Sequence, residues 1–134
     1  MQIDIATAPV SWGVLMKDTP NVPPYTQVLD GIKAAGYNGT ELGPYGYLPF
    51  DIPKLRDQLL QRQLKLISAF TIVNFIDPHG LSDVYQEAIT TAQVLSALDC
   101  SWIVLSDALF VADHRSKRAG RIQPEDSLDA NGWN

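Results

Sequence analysis

Residues 25–43 read YTQVLDGIKAAGYNGTELG, and they hold a helix, its stop and the strand that follows. Tyr25, Val28, Leu29, Ile32 and Ala35 recur at the three- and four-residue steps that line one side of an α-helix, so the spacing predicts a helix over about 25–35. Gly36 is a good stop, because glycine enters the left-handed backbone region without steric penalty. The run Gly39 to Leu42 then predicts a short strand in which Thr40 and Leu42 face one way and Glu41 the other.

The same unit repeats on either side. Apolar, β-prone runs at Ile3 to Val10, Leu64 to Val73 and Trp102 to Leu105 predict three more strands. Asp51 can cap a second helix, with Pro53 tolerated in its first turn. Ile52, Leu55, Leu59 and Leu60 form its apolar face, while Arg56, Asp57, Gln61 and Arg62 face water. A third helix is expected from Ser82 or Asp83 to near Asp99, with Tyr85, Ala88, Ile89, Ala92, Leu95 and Leu98 on its buried side. The chain turns polar from Ala112, and Pro124 to Asp129 has the look of a further helix beginning.

Each return to the sheet passes through a helix, so the strands are expected to pair in parallel through right-handed crossovers. Two architectures accept that order: a doubly wound open sheet, or half of an eight-stranded barrel. The open sheet normally carries a glycine-rich phosphate turn after an early strand. Here Ser11-Trp12-Gly13-Val14 and a loop bearing Pro20, Pro23 and Pro24 follow the first strand, and neither G-x-G-x-x-G nor G-x-x-x-x-G-K-[ST] occurs. That absence favours the barrel while leaving both architectures open; the expected fold class is α/β, the N-terminal half of a (β/α)8 TIM barrel, about four parallel strands with three helices, residues 1–134 making one partial barrel domain. Helices on one side would leave the other sheet face and two strand edges bare, which predicts self-association or a missing second half.

Composition narrows the function classes. The chain has 134 residues, 46% hydrophobic and 19% charged, a balance that belongs to folded proteins rather than disordered ones. A formal net charge of −5 and a pI near 4.7 argue against nucleic acid or an anionic membrane as partner. Arg115, Lys117, Arg118 and Arg121 form one basic cluster, either a solvated loop or an anion site. The single cysteine, Cys100, excludes an internal disulfide and a cysteine metal site, and its place between helix and strand suits a buried structural thiol. The opening Gln2-Ile3-Asp4-Ile5-Ala6 lacks the layout of a signal peptide, and no apolar run reaches the ~18 residues of a membrane span. The cytoplasm is the expected compartment, which makes the sequon Asn38-Gly39-Thr40 a chance match.

In barrels of βα units, functional side chains sit at the C-terminal ends of strands and in the loops after them. Those places hold Ser11 and Trp12, then Glu41 with the loop Gly43-Pro44-Tyr45-Gly46-Tyr47. Further along come Thr71, Asn74 and His79, and finally Ser106, Asp107, Asp113 and His114. If Leu42 packs toward the helices, Glu41 faces the barrel mouth, where a carboxylate can bind sugar hydroxyls or move a proton; otherwise it is an edge glutamate paired with a Lys or Arg. Trp12 can stack on a sugar ring, and Tyr45 and Tyr47 can wall a pocket, or all three are packing under a long loop. Asp107 binds substrate or caps a turn. His79 has the setting of a solvated or capping histidine, and the adjacent Asp113 and His114 make poor chelating geometry.

The run Gly36-Tyr37-Asn38-Gly39-Thr40-Glu41-Leu42-Gly43 has Ala8-Pro9-Val10-Ser11-Trp12-Gly13 before it and Pro44-Tyr45-Gly46-Tyr47-Leu48-Pro49 after it. Together these resemble the sugar-phosphate isomerase/epimerase superfamily with the xylose-isomerase-like TIM barrel, and within it the inosose (2-keto-myo-inositol) dehydratase branch. The resemblance spans essentially the whole chain in register. It implies a sugar or inositol derivative as substrate, and an isomerase, epimerase or lyase reaction. It also implies a divalent metal, Mn²⁺, Mg²⁺ or Co²⁺, that polarises a carbonyl or hydroxyl while carboxylates move the neighbouring proton. The metal ligands would come from the second half of the barrel, so none is expected in this chain, which is expected to be inactive alone. Glu41 is then the expected catalytic residue, and Trp12, Glu41, Tyr45, Asn74 and Asp107 the expected substrate-binding residues. The endonuclease branch of the same fold needs a basic groove, against which the acidic balance argues. The alternative is a non-catalytic half-barrel that binds sugar or oligomerises.

Overall fold

The computed structural model describes residues 4–16, 18, 20–73, 81–107, 117–118, 120–121 and 123–127. Four strands, β1 (Ala6–Thr7), β2 (Gly39–Glu41), β3 (Lys65–Val73) and β4 (Ile103–Asp107), form one sheet in the order β1-β2-β3-β4, with every neighbouring pair parallel. Three helices connect them: α1 (Tyr25–Ala34), α2 (Ile52–Gln61) and α3 (Leu81–Ala97). The strand order never reverses. Right-handed crossovers in an unreversed sheet return every helix to the same face.

One core lies between that face and the helices. Val28, Leu29 and Ile32 of α1, Leu55 and Leu59 of α2, and Val94 and Leu95 of α3 are buried in a single cluster with Leu42, Leu66 and Ala69. Alternation along the strands decides which residues join it. Thr40 and Leu42 go into the core, and Gly39 and Glu41 go to the opposite face.

All three helices end in one backbone device. Gly36 (φ 89°), Gln63 (φ 53°) and Asp99 (φ 59°) each adopt the left-handed conformation just after α1, α2 and α3. The following residue then donates its N–H five residues back: Tyr37 to Ile32 O, Leu64 to Leu59 O, and Cys100 to Leu95 O. This satisfies helix carbonyls that would otherwise lack partners and turns the chain toward its next strand. Leu64 and Cys100 are buried at those turns, which gives the lone cysteine its structural place.

The structure departs from the sequence expectations at several points. The strand expected from Ile3 to Val10 pairs, among the described residues, over Ala6 and Thr7 alone, and Ile3 lies outside them. Pro9 fixes its own φ and has no N–H to offer a ladder, so Pro9–Trp12 coil into a 3₁₀ turn instead, with Ser11 N–H on Ala8 O and Gly13 N–H on Val10 O. On α2, Asp51 caps as expected, accepting from Lys54 N–H at 2.9 Å, but Leu60 stands 66% exposed. Arg62, expected in water, lies against the protein with Nε on Asp30 Oδ1 at 2.6 Å and Nη1 on Gln58.

On α3 the buried stripe is turned relative to the expected one. Thr91, Val94 and Leu95 are its most buried residues, whereas Tyr85 is 64% exposed and Ala92 is exposed. Leu95 and Leu98 belong to both stripes, so apolar periodicity could not separate them. Pro124–Asp126 form a 3₁₀ turn, and Leu128 and Asp129 of the expected helix start lie outside the described residues. Beside it Arg118 pairs with Glu125 at 2.7 Å and Arg121 donates to Lys117 O, so these members of the basic cluster bind their own loop. Arg115 lies outside the described residues. Among the described residues, no helix is long and apolar enough to cross a membrane.

Candidate functional site

Glu41 is the last residue of β2, and alternation with the buried Thr40 and Leu42 sends its side chain away from the helices. It lines a cavity of about 640 Å³ at the C-terminal ends of the strands. That volume lies within the ~300–1,000 Å³ range of small-molecule clefts. Val10 and Met16 from the segment after β1, Tyr45 from the loop after β2, Phe70 from β3 and Glu87 from α3 contribute to the wall. Thr71 and Thr91 add hydroxyls. Among the described residues the wall has two carboxylates and no Lys, Arg or His, a lining better suited to neutral hydroxyl groups than to a phosphate.

The polar centre is a pair. Ser68 Oγ donates to Glu41 Oε1 at 2.9 Å, and Ser68 is 7% exposed. No Lys or Arg pairs with Glu41 among the described residues. Sequence reasoning missed Ser68, because within Leu64 to Val73 it reads as one more strand residue and nothing local announces its neighbour.

Of the expected substrate-binding residues, the structure brings Glu41 and Tyr45 to the same cavity. The Tyr45 ring is held edge-on to Phe50, with centroids 4.8 Å apart. Trp12 does not line the cavity. It packs edge-on to Tyr37 and against α1, where a Cβ on Gly31 would lie 2.6 Å from its Nε1. Tyr47 likewise serves packing: its hydroxyl donates to Pro23 O at 2.8 Å, and burial raises its phenol above the ordinary value. Asp107 ends β4 in register with Val73 of β3, outside the cavity wall. Asn74, His79, Asp113 and His114 lie outside the described residues.

A divalent metal of the kind implied by the resemblance needs several converging donors. Among the described residues no group of three or more His, Cys, Asp or Glu side chains comes together. Among the described residues, Glu41 and Glu87 are the acidic residues of the cavity wall, and two carboxylates do not complete such a site. Glu41, Thr71 and Thr91 offer polar groups to the cavity, and Tyr45, Phe70 and Met16 give it apolar wall. Compared with protein-family models and with curated proteins, the chain matches none.

Proposed function

We propose that this chain is the N-terminal wall of a TIM-barrel sugar or cyclitol isomerase, epimerase or dehydratase, with Glu41 holding a hydroxyl of the substrate. The observation that carries the reading is Glu41 itself: a carboxylate at the C-terminal end of a parallel strand, bound to Ser68, without a cationic partner among the described residues and open to a mostly apolar cavity. Support also comes from the unreversed strand order and from the distribution of bare apolar residues. Ile67, Phe70 and Val104 are exposed on the face away from the helices, where a closed barrel packs its interior. Ile5 and Leu105 are exposed beside the two edge strands, where further helices would cover them.

In this reading Glu41 orients one hydroxyl and can take up or return a proton at it, while Tyr45 and Phe70 pack the ring. A divalent metal would supply carbonyl polarisation, on ligands from outside the described residues. NMR titration of the labelled chain with myo-inositol and a 2-keto cyclitol tests the proposal. Shifts centred on Glu41, Tyr45 and Phe70, abolished in Glu41→Gln, are expected. Absence of shifts at millimolar ligand, or shifts at Trp102 and Cys100 instead, would refute it.

A second reading, a non-catalytic half-barrel that assembles with another copy, draws on the same bare face. Intact mass of the protein isolated from its source separates them: a mass well above 14.8 kDa favours the enzyme.

A further inference from the structure

We infer that an extra residue in β3, Ile67, exists to bring Ser68 beside Glu41, and that Ser68 is the positioning residue for that carboxylate. The inference deepens the functional reading above and rests on Glu41 as the hydroxyl-binding group.

The register between β2 and β3 carries the argument. Gly39 pairs with Lys65 and Thr40 with Leu66, but Glu41 pairs with Ser68, so β3 spends one more residue than β2 over the same distance. An unbroken register would set Ile67, an apolar side chain, next to Glu41. The bulge replaces it with a hydroxyl donor. Burial along β3 shows the same break in alternation: Leu66 is buried, Ile67 exposed, then Ser68 and Ala69 are buried in succession. Beyond the bulge the ladder resumes, with Leu42 N–H on Ser68 O at 2.9 Å.

Room for the bulge comes from β2. A Cβ on Gly39 would stand 2.9 Å from Ile67 Cγ2 and 2.9 Å from Lys65 O. The displaced isoleucine therefore lies over a position that only glycine leaves open. Gly39, Ile67 and Ser68 form one device: space, extra residue and donor.

Its product is a carboxylate with unequal oxygens. Ser68 has one hydroxyl proton and directs it to Oε1. Oε2 has no hydrogen-bond partner among the described residues, and no buried side-chain oxygen is left unpaired, so Oε2 reaches the open cavity. One oxygen is anchored and the other is presented to a ligand. Such a fixed rotor meets a substrate hydroxyl without first being ordered.

The test uses protein labelled with ¹³C at the glutamate carboxyl carbons, the Glu41 resonance being assigned by its absence in Glu41→Gln. Ser68→Ala, which keeps strand geometry, is expected to move that resonance and to weaken cyclitol affinity about tenfold, the effect of one lost charge-assisted hydrogen bond. Its amide spectrum should otherwise match wild type, and Ser68→Thr, which keeps the hydroxyl, should restore both readouts. An unmoved Glu41 resonance in Ser68→Ala overturns the inference, whatever the affinity. A moved resonance in a protein that binds no cyclitol supports the positioning role and overturns the ligand reading instead.

Discussion

Gly39 and Tyr47 show how single atoms hold the site in shape without touching a ligand. A methyl group on Gly39 would press on the Lys65 carbonyl, which is backbone and cannot swing aside. Gly39→Ala is therefore expected to cost about 1–3 kcal/mol of stability, read from the urea midpoint, by forcing β2 and β3 apart. Tyr47 ties the loop after β2 to Pro23 through its hydroxyl. Its phenol is raised by burial, so the folded protein holds that proton more tightly than the unfolded chain does. This contribution is whole below the unfolded value of about 10 and is lost as pH climbs through the folded one. Tyr47→Phe should lose about 0.5–1.5 kcal/mol near neutral pH and show a flatter decline of stability under alkaline conditions, both measurable by denaturant unfolding across pH.

The helix ends carry the clearest lesson among the elements. Gly36, Gln63 and Asp99 occupy equivalent positions, yet only the first is a residue that takes the left-handed conformation freely. Gln63 is exposed, so replacing it removes no packing. Gln63→Gly is expected to raise stability by about 0.5–1 kcal/mol, the steric relief less the entropy glycine adds to the unfolded chain. At the other end of α2, Asp51→Ala should cost about 1 kcal/mol by leaving the Lys54 N–H without its cap. Leu55, fully buried between helix and sheet, should cost more: about 2–5 kcal/mol for Leu55→Ala. The same unfolding assay ranks all three, and a Gln63→Gly protein less stable than wild type would contradict the shared-motif account.

At the scale of the whole molecule the unsolved problem is the bare sheet face. Parallel sheets persist when both faces are covered, and here Phe70 and Val104 are 42% and 46% exposed side by side on neighbouring strands. The isolated chain is expected to sediment as species larger than 14.8 kDa, and a Phe70→Lys/Val104→Lys double variant to shift toward that mass. A wild-type chain that sediments only at 14.8 kDa would show that the face tolerates water.

The helices and strands near their observed places, the cap at Asp51, the stop at Gly36 and the face taken by Glu41 were all legible in the sequence, because each depends on residues within a few positions of one another. What escaped it depends on neighbours distant along the chain. The turned face of α3 was settled by the burial of Thr91 and Val94 in the common core, and Trp12 was drawn to α1 by the gap at Gly31. Above all, the partner of Glu41 came from a register shift in a strand 27 residues away. Periodicity names the face a side chain takes, whereas only the pairing of strands decides what stands beside it.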